Sequence, residues 1–207
     1  MIRIVTFERE YGSGAADIAA KVADQLGWKL WDQLFTDQIA RSLRCDQRQV
    51  EEREERRDPL HYRLFKAFLR GSFEGNLASA RGVQLADAES IRQASEKLVR
   101  AAAEEGKAVI VGRGSAYYLH ERPDAFHVFI YGPFEEKVRR LQRQGKSEKE
   151  AVELVETVDQ DRADFIKQSF GVDWPQRQYF DLMVNSVVGE ERAARIILNA
   201  LAAMNEE

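Results

Sequence analysis

Cysteine is almost missing from this chain of 207 residues: there is one, Cys45. A single thiol closes no internal disulfide and builds no cysteine-rich metal site, so a reducing setting, the cytoplasm, is expected. Cys45 lies in a charged polar stretch and reads as an incidental surface thiol. Long apolar runs are missing too. None approaches the roughly 20 residues needed to span a bilayer, and Met1 leads straight into "IRIVTF", too short and strand-like for a signal peptide. There are three histidines, His61, His120 and His127, far apart and in no metal spacing such as H-E-x-x-H. No metal ligand is nominated. An excess of one charge is also lacking: 31 Lys and Arg face 35 Asp and Glu, a net charge of −4. That balance argues against nucleic acid or an anionic membrane as partner. It leaves room for a local basic pocket that takes a small phosphorylated ligand.

The hydrophobic content is 44%, enough for one sizeable core in a single domain over 1–207. "IRIVTF" (2–7) is β-branched and aromatic, a strand. Ile18, Val22 and Leu26 recur four apart with Ala19 and Ala23 beside them, a one-faced helix over 15–26 that Gly27 stops. "WKLW" (28–31) is a short second strand ending at Asp32, ahead of a helix near 34–43. Residues 44–58 are nearly all charged or polar. Leu60, Leu64, Phe65, Phe68 and Leu69 then form an apolar helical stripe suited to core packing, a lid or a homodimer contact. "GSFEGNLASARG" (71–82) has loop composition.

A helix over about 86–105 precedes the strand "KAVIVGRG" (107–114), which runs into a glycine turn. "AFHVFIYG" (125–132) is another strand. Pro133 opens a helix to about 144. Ser147 caps a long helix to 168, with Glu150 completing a capping box. "YFDLMVNS" is the last strand and 189–204 the last helix. This alternation predicts an α/β fold in three layers, with about five parallel strands and helices on both faces. Ligands of such sheets bind at the carboxyl ends of the strands. That rule selects the 8–14 loop, Asp32, the 112–114 turn and the segment after Tyr131.

The loop "EREYGSG" follows a strand and opens a helix, as a phosphate-binding loop does. Gly12 and Gly14 let the backbone approach an anion, and the helix start adds N–H donors and a positive dipole end. Against G-x-x-x-x-G-K-[ST], aligned on Gly14, Arg9 takes the first glycine position, Ala15 the lysine and Ala16 the hydroxyl. The backbone cradle of Tyr11, Gly12, Ser13, Gly14, Ala15 and Ala16 survives without its side chains, and Arg9 is expected to supply the missing charge. "VIVGRG" places Arg113 at the sheet's carboxyl edge, apt for bidentate phosphate contact. Arg139, Arg140, Arg143 and Arg162 lie on the two helices after the 125–131 strand, with Asp159 and Asp161 beside Arg162. Some of these arginines belong to a solvated face; others suit a closing lid.

Taken in order, "REYGSG", "LGWKLWDQ", "VIVGRG", "VFIYGPFEEKVRRL", "VDQDRADFIK" and "YFDLMVNS" resemble the cytidylate kinase-like proteins, a divergent branch of the P-loop nucleoside monophosphate kinases, over nearly the whole chain. The resemblance implies ATP-dependent phosphoryl transfer to CMP, dCMP or a related monophosphate. The 8–14 loop would hold the donor phosphates, with Mg²⁺ held mainly by phosphates and water. Arg113 and Asp32 would face the acceptor, with Asp161 also on the substrate side. Arg140 and Arg162 look like lid arginines on lid helices 139–168, and 44–85 falls where these kinases carry a mobile helical acceptor-binding segment. Phosphoryl transfer needs positioning and charge neutralisation more than a base, so Arg9, Arg113, Arg140 and Arg162 are the candidates to carry it. Three positions depart from the pattern: Ala15, Ala16, and Val111 where cytidylate kinases carry an aspartate. Gln33 also replaces an acceptor-contacting hydroxyl residue. These losses raise an alternative, a nucleotide-binding regulatory module with a degenerate loop. A structural or interaction protein is the third reading.

Overall fold

The computed structural model describes residues 1–32 and 88–206. The helix expected at 34–43, Cys45, the 44–85 segment, the 60–69 stripe with its homodimer reading, Gln33 and His61 lie outside the described residues.

Every residue of strand β1 (Ile4–Arg9) is buried, as its unbroken run IVTF requires of a strand covered on both faces. It is the centre of a five-stranded parallel sheet with β2 (Lys29–Trp31), β3 (Ala108–Val111), β4 (Ala125–Tyr131) and β5 (Leu182–Asn185), in the order β2-β3-β1-β4-β5. Ile4 pairs in register with Ala108 on one side and with Ala125 on the other. The period of two divides β1 between the layers. Val5 and Phe7 pack with Ile18, Ala19 and Val22 of α1 (Ala15–Leu26) and with Ile197 and Leu201 of α6 (Glu190–Ala203). Ile4 faces the other way, against Val99, Ala102 and Ala103 of α2 (Ala88–Glu105).

Three further helices follow β3 and β4. A single turn, α3 (Ser115–Tyr118), leaves β3. Helices α4 (Phe134–Arg143) and α5 (Glu148–Phe170) form a pair beyond β4, with an apolar seam of Val138, Leu141, Ala151, Val155 and Val158 that closes on Tyr11. Ser147 caps α5 as expected, its Oγ accepting from the Glu150 N–H at 3.2 Å. The Glu150 carboxylate pairs with Lys146 at 2.9 Å. α3 and two single 3₁₀ turns, Arg177–Tyr179 and Ser186–Val188, were not foreseen in the sequence; segments of three or four residues are too short to show a period. Among the described residues no helix is long and apolar enough to cross a membrane.

One histidine inside the sheet makes folding pH-sensitive. His127 of β4 is buried, with Nδ1 2.7 Å from the Thr6 hydroxyl. Its backbone N–H donates to Asp181 at 2.7 Å. Burial holds its pKa below the ordinary value, opposed by Asp181. The unfolded chain therefore takes up this proton before the folded one does. Stability is fully present above about pH 6.5, the ordinary histidine value, and declines as pH falls toward the folded value. Urea unfolding at pH 7.5 and 5.5 should show a loss at the lower pH that His127→Gln reduces. An equal loss in that variant would assign the pH dependence elsewhere.

Candidate phosphate-binding and transfer site

The loop between β1 and α1 turns tightly. Gly12 and Gly14 take φ of 75° and 78°, in the left-handed region. The Ser13 hydroxyl donates back to the Glu10 carbonyl at 2.7 Å. The Tyr11 N–H donates to Asp159 Oδ1 at 2.7 Å. The N–H groups of Gly12, Gly14, Ala15 and Ala16 meet no acceptor among the described residues. A helix start with open donors is a place where backbone N–H groups can receive an anion.

What the loop's own side chains lack, α4 and α5 bring. At Gly14 a Cβ would stand 2.5 Å from Cζ of Arg140, so a side chain there would push that guanidinium aside. Arg140 Nη2 donates to Asp17 Oδ2 at 2.5 Å and to Glu190 Oε1 at 2.6 Å. Beneath it, Lys137 is 7% exposed and bridges Glu10 at 2.9 Å and Asp159 at 3.2 Å. Burial pushes the Asp159 carboxyl up, opposed by Arg162, Lys137 and the Tyr11 N–H. Arg162 completes the tie: its Nη1 donates to the Arg9 carbonyl at 2.8 Å and to Asp159 at 3.1 Å. The loop is thus fastened to both helices through a network of charges held from water.

A second cluster lies at the ends of β1 and β3. Residues 112, 113 and 114 all take positive φ, of 70°, 66° and 68°, which explains glycine on either side of Arg113. A Cβ at Gly112 would meet Arg9 Nη1, so the Arg9 side chain lies against this turn. Arg9 and Arg113 are both buried, as is Glu8, whose carboxylate faces their charge. Burial lowers the Arg113 pKa to about 9, opposed by Asp32 and Glu8, and the guanidinium stays protonated at neutral pH. Burial also raises the Glu8 carboxyl, against the pull of Arg9, Arg162 and the N–H groups of Ser115 and Ala116. Glu8 Oε1 has no hydrogen-bond partner among the described residues. Tyr117 and the aromatic side chains of Phe165, Phe170, Tyr179 and Phe180 cover this cluster from the α5 side.

A cleft of about 530 Å³ opens beside the loop, lined by Gly12, Ser13, Arg140, Arg143 and the 186–192 segment, where exposed Val187 and Val188 form an apolar lip.

The sequence-nominated residues therefore fall into two neighbouring groups. Tyr11 through Ala16, with Arg140, surround the start of α1. Arg9, Arg113, Asp32 and Arg162 gather at the ends of β1, β2 and β3. The guanidinium over the start of α1 is Arg140's, whereas Arg9 turns toward Gly112. The acid that meets the loop is Asp159; Asp161 is half-buried on α5. Arg139 pairs with Glu136 at 2.6 Å on an exposed face. Glu8, Glu10, Asp17, Lys137 and Glu190 were not singled out from the sequence. Of these, Glu8 alone left a signal: a carboxylate inside the central strand.

Solved structures share this architecture. An uncharacterized protein from Eubacterium ventriosum ATCC 27560 aligns with a TM-score of 0.66 at 21% identity, covering 98% of this chain and 99% of its own. The shikimate kinase of Acinetobacter baumannii in complex with shikimate aligns at 0.53 and 12%, covering 100% and 97%. A gluconokinase from Sinorhizobium meliloti 1021 aligns at 0.52 and 15%, covering 99% and 94%. At these identities the likeness shows the fold, that of P-loop kinases. No curated protein matches the chain. The sequence pattern of the cytidylate kinase-like family matches residues 4–187, and the chain belongs to that family.

Proposed function

We propose that the protein transfers a phosphoryl group from ATP to a nucleoside monophosphate, with CMP or dCMP as the favoured acceptor. The observation that carries this reading is the open N–H cradle at the start of α1 with a guanidinium over it, beside a second cluster of buried arginines at the adjoining strand ends. Two anionic groups that must meet need two cationic pockets side by side. The loop N–H groups and Arg140 would take the donor phosphates. The cleft beside the loop, with Val187 and Val188 at its lip, would take the donor base. Arg113, with Asp32 near it, would face the acceptor, and Arg9 and Arg162 would share the charge between the two pockets. Their guanidiniums hold both phosphates in line and offset the charge that builds up at transfer. Mg²⁺ would neutralise the donor phosphates; phosphates and water would supply most of its ligands, because Ala16 offers no hydroxyl.

A second reading has its own observation. With Ala15 and Ala16 in the loop, a bound nucleotide is sensed and not consumed, and the protein is a regulatory module. The test is ADP production with ATP, Mg²⁺ and a panel of nucleoside monophosphates, with shikimate and gluconate as non-nucleotide controls. Turnover highest with a pyrimidine monophosphate is expected. No ADP above background, together with an ATP-induced rise in unfolding temperature, would replace transfer by the regulatory reading. Turnover with a control acceptor alone would move the acceptor outside the nucleotides.

A further inference from the structure

Resting on the phosphate-loop reading above, we infer that Arg140 replaces the loop lysine from outside the loop, and that Asp17 and Glu190 are positioning residues that hold it there until donor phosphate displaces them. A guanidinium is poorly placed at a helix start, because the open N–H groups there already present positive charge. Arg140 nonetheless lies within 2.5 to 2.8 Å of the point where a Gly14 Cβ would be. Two acids from separate elements account for it. Asp17 sits in the first turn of α1 and Glu190 in the first turn of α6, and both accept from the same Nη2 at 2.5 and 2.6 Å.

The carboxylates therefore stand where an anion belongs. They draw Arg140 over the cradle while no phosphate is present, which prevents the side chain from wandering into solvent. A triphosphate entering along the cleft meets Gly12, Ser13, Arg140 and Glu190 on one wall. It brings more negative charge than either carboxylate and a better match to the planar fork. Arg140 then turns from acids to phosphate over a short distance, already ordered. The cost is competition: each acid orders the side chain before the donor arrives and weakens donor binding by holding the cation.

The experiment is a double-mutant cycle read by calorimetric titration of ATP and of inorganic tripolyphosphate. Arg140→Ala should weaken both ligands about tenfold. Glu190→Gln, which keeps an acceptor but removes the charge, should tighten tripolyphosphate about fivefold in the parent chain and less than twofold in the Arg140→Ala background. Asp17→Asn should repeat the pattern. In turnover, Glu190→Gln should lower KM for ATP, a change that simple destabilisation does not produce. Equal tightening in both backgrounds would make the acids bulk repulsion and overturn the inference, as would undiminished binding in Arg140→Ala. If the parent chain binds neither ATP nor tripolyphosphate, the phosphate-loop reading falls and this inference with it.

Discussion

Asp159→Ala should cost about 3–5 kcal/mol of folding stability, the range for stripping one partner from a buried charge network. The residue reaches three elements at once. It accepts the Tyr11 N–H of the loop, neutralises Lys137 of α4 and pairs with Arg162 within α5. The side chains of Lys137 and Asp159 are 9% and 16% exposed, so little solvent can replace the lost carboxylate. Alanine leaves Lys137 with Glu10 as its ion partner among the described residues and removes the Asp159 acceptor from the loop N–H. Asp159→Asn keeps an acceptor for Tyr11 and should lose less. Urea titration of both variants reads the difference in midpoint, with an unchanged slope confirming that one transition is compared. A loss below about 1 kcal/mol, the level of an exposed pair, would mean that water reaches the network.

The other large effect concerns transfer. Arg113→Ala should reduce kcat/KM for phosphoryl transfer about 10²–10³-fold, the cost of removing one preorganised donor at a site of developing charge. Arg113→Lys should recover little, because an ammonium cannot span two phosphate oxygens as a planar fork does. Alanine suffers the same left-handed φ as arginine at 113, so the backbone cost cancels in the comparison. Thermal unfolding run beside the kinetics separates the roles. A fall in rate with the transition nearly unmoved supports direct contact with the reacting phosphates, whereas a fall of less than tenfold would remove Arg113 from the transfer step.

The fold was legible because strands and helices here are regular and punctuated. IVTF, AVIV and VFIY are unbroken apolar runs, and Ile18, Val22 and Ile197 mark helical faces by their period. The loop and the GRG turn were legible because glycines at positive φ leave a composition signal. Side-chain direction across the sheet was not. Arg9 adjoins the loop in sequence and reads as a charge for it; its side chain lies against the turn at Gly112. Arg140 arrives from 126 residues further along the chain. Lys137, Asp159 and Glu190 looked like ordinary helix-surface charges, and nothing in a charged helix shows which residues will be pressed against a loop distant in sequence. Asp159 and Asp161 look alike by type; the register of α5 brings Asp159 to the Tyr11 N–H.

Ala15 bears on reversibility. Its side chain is 2% exposed and belongs to the hydrophobic cluster shared by β1, α1 and α6. Installing a lysine there would not simply restore a lost part. The new ammonium would be buried among apolar side chains, which costs heavily without a partner. Return to a lysine-bearing loop would therefore require repacking of the cluster around position 15. The loop is committed to its present solution by residues far from it in sequence, which makes its alanines a settled state of the site.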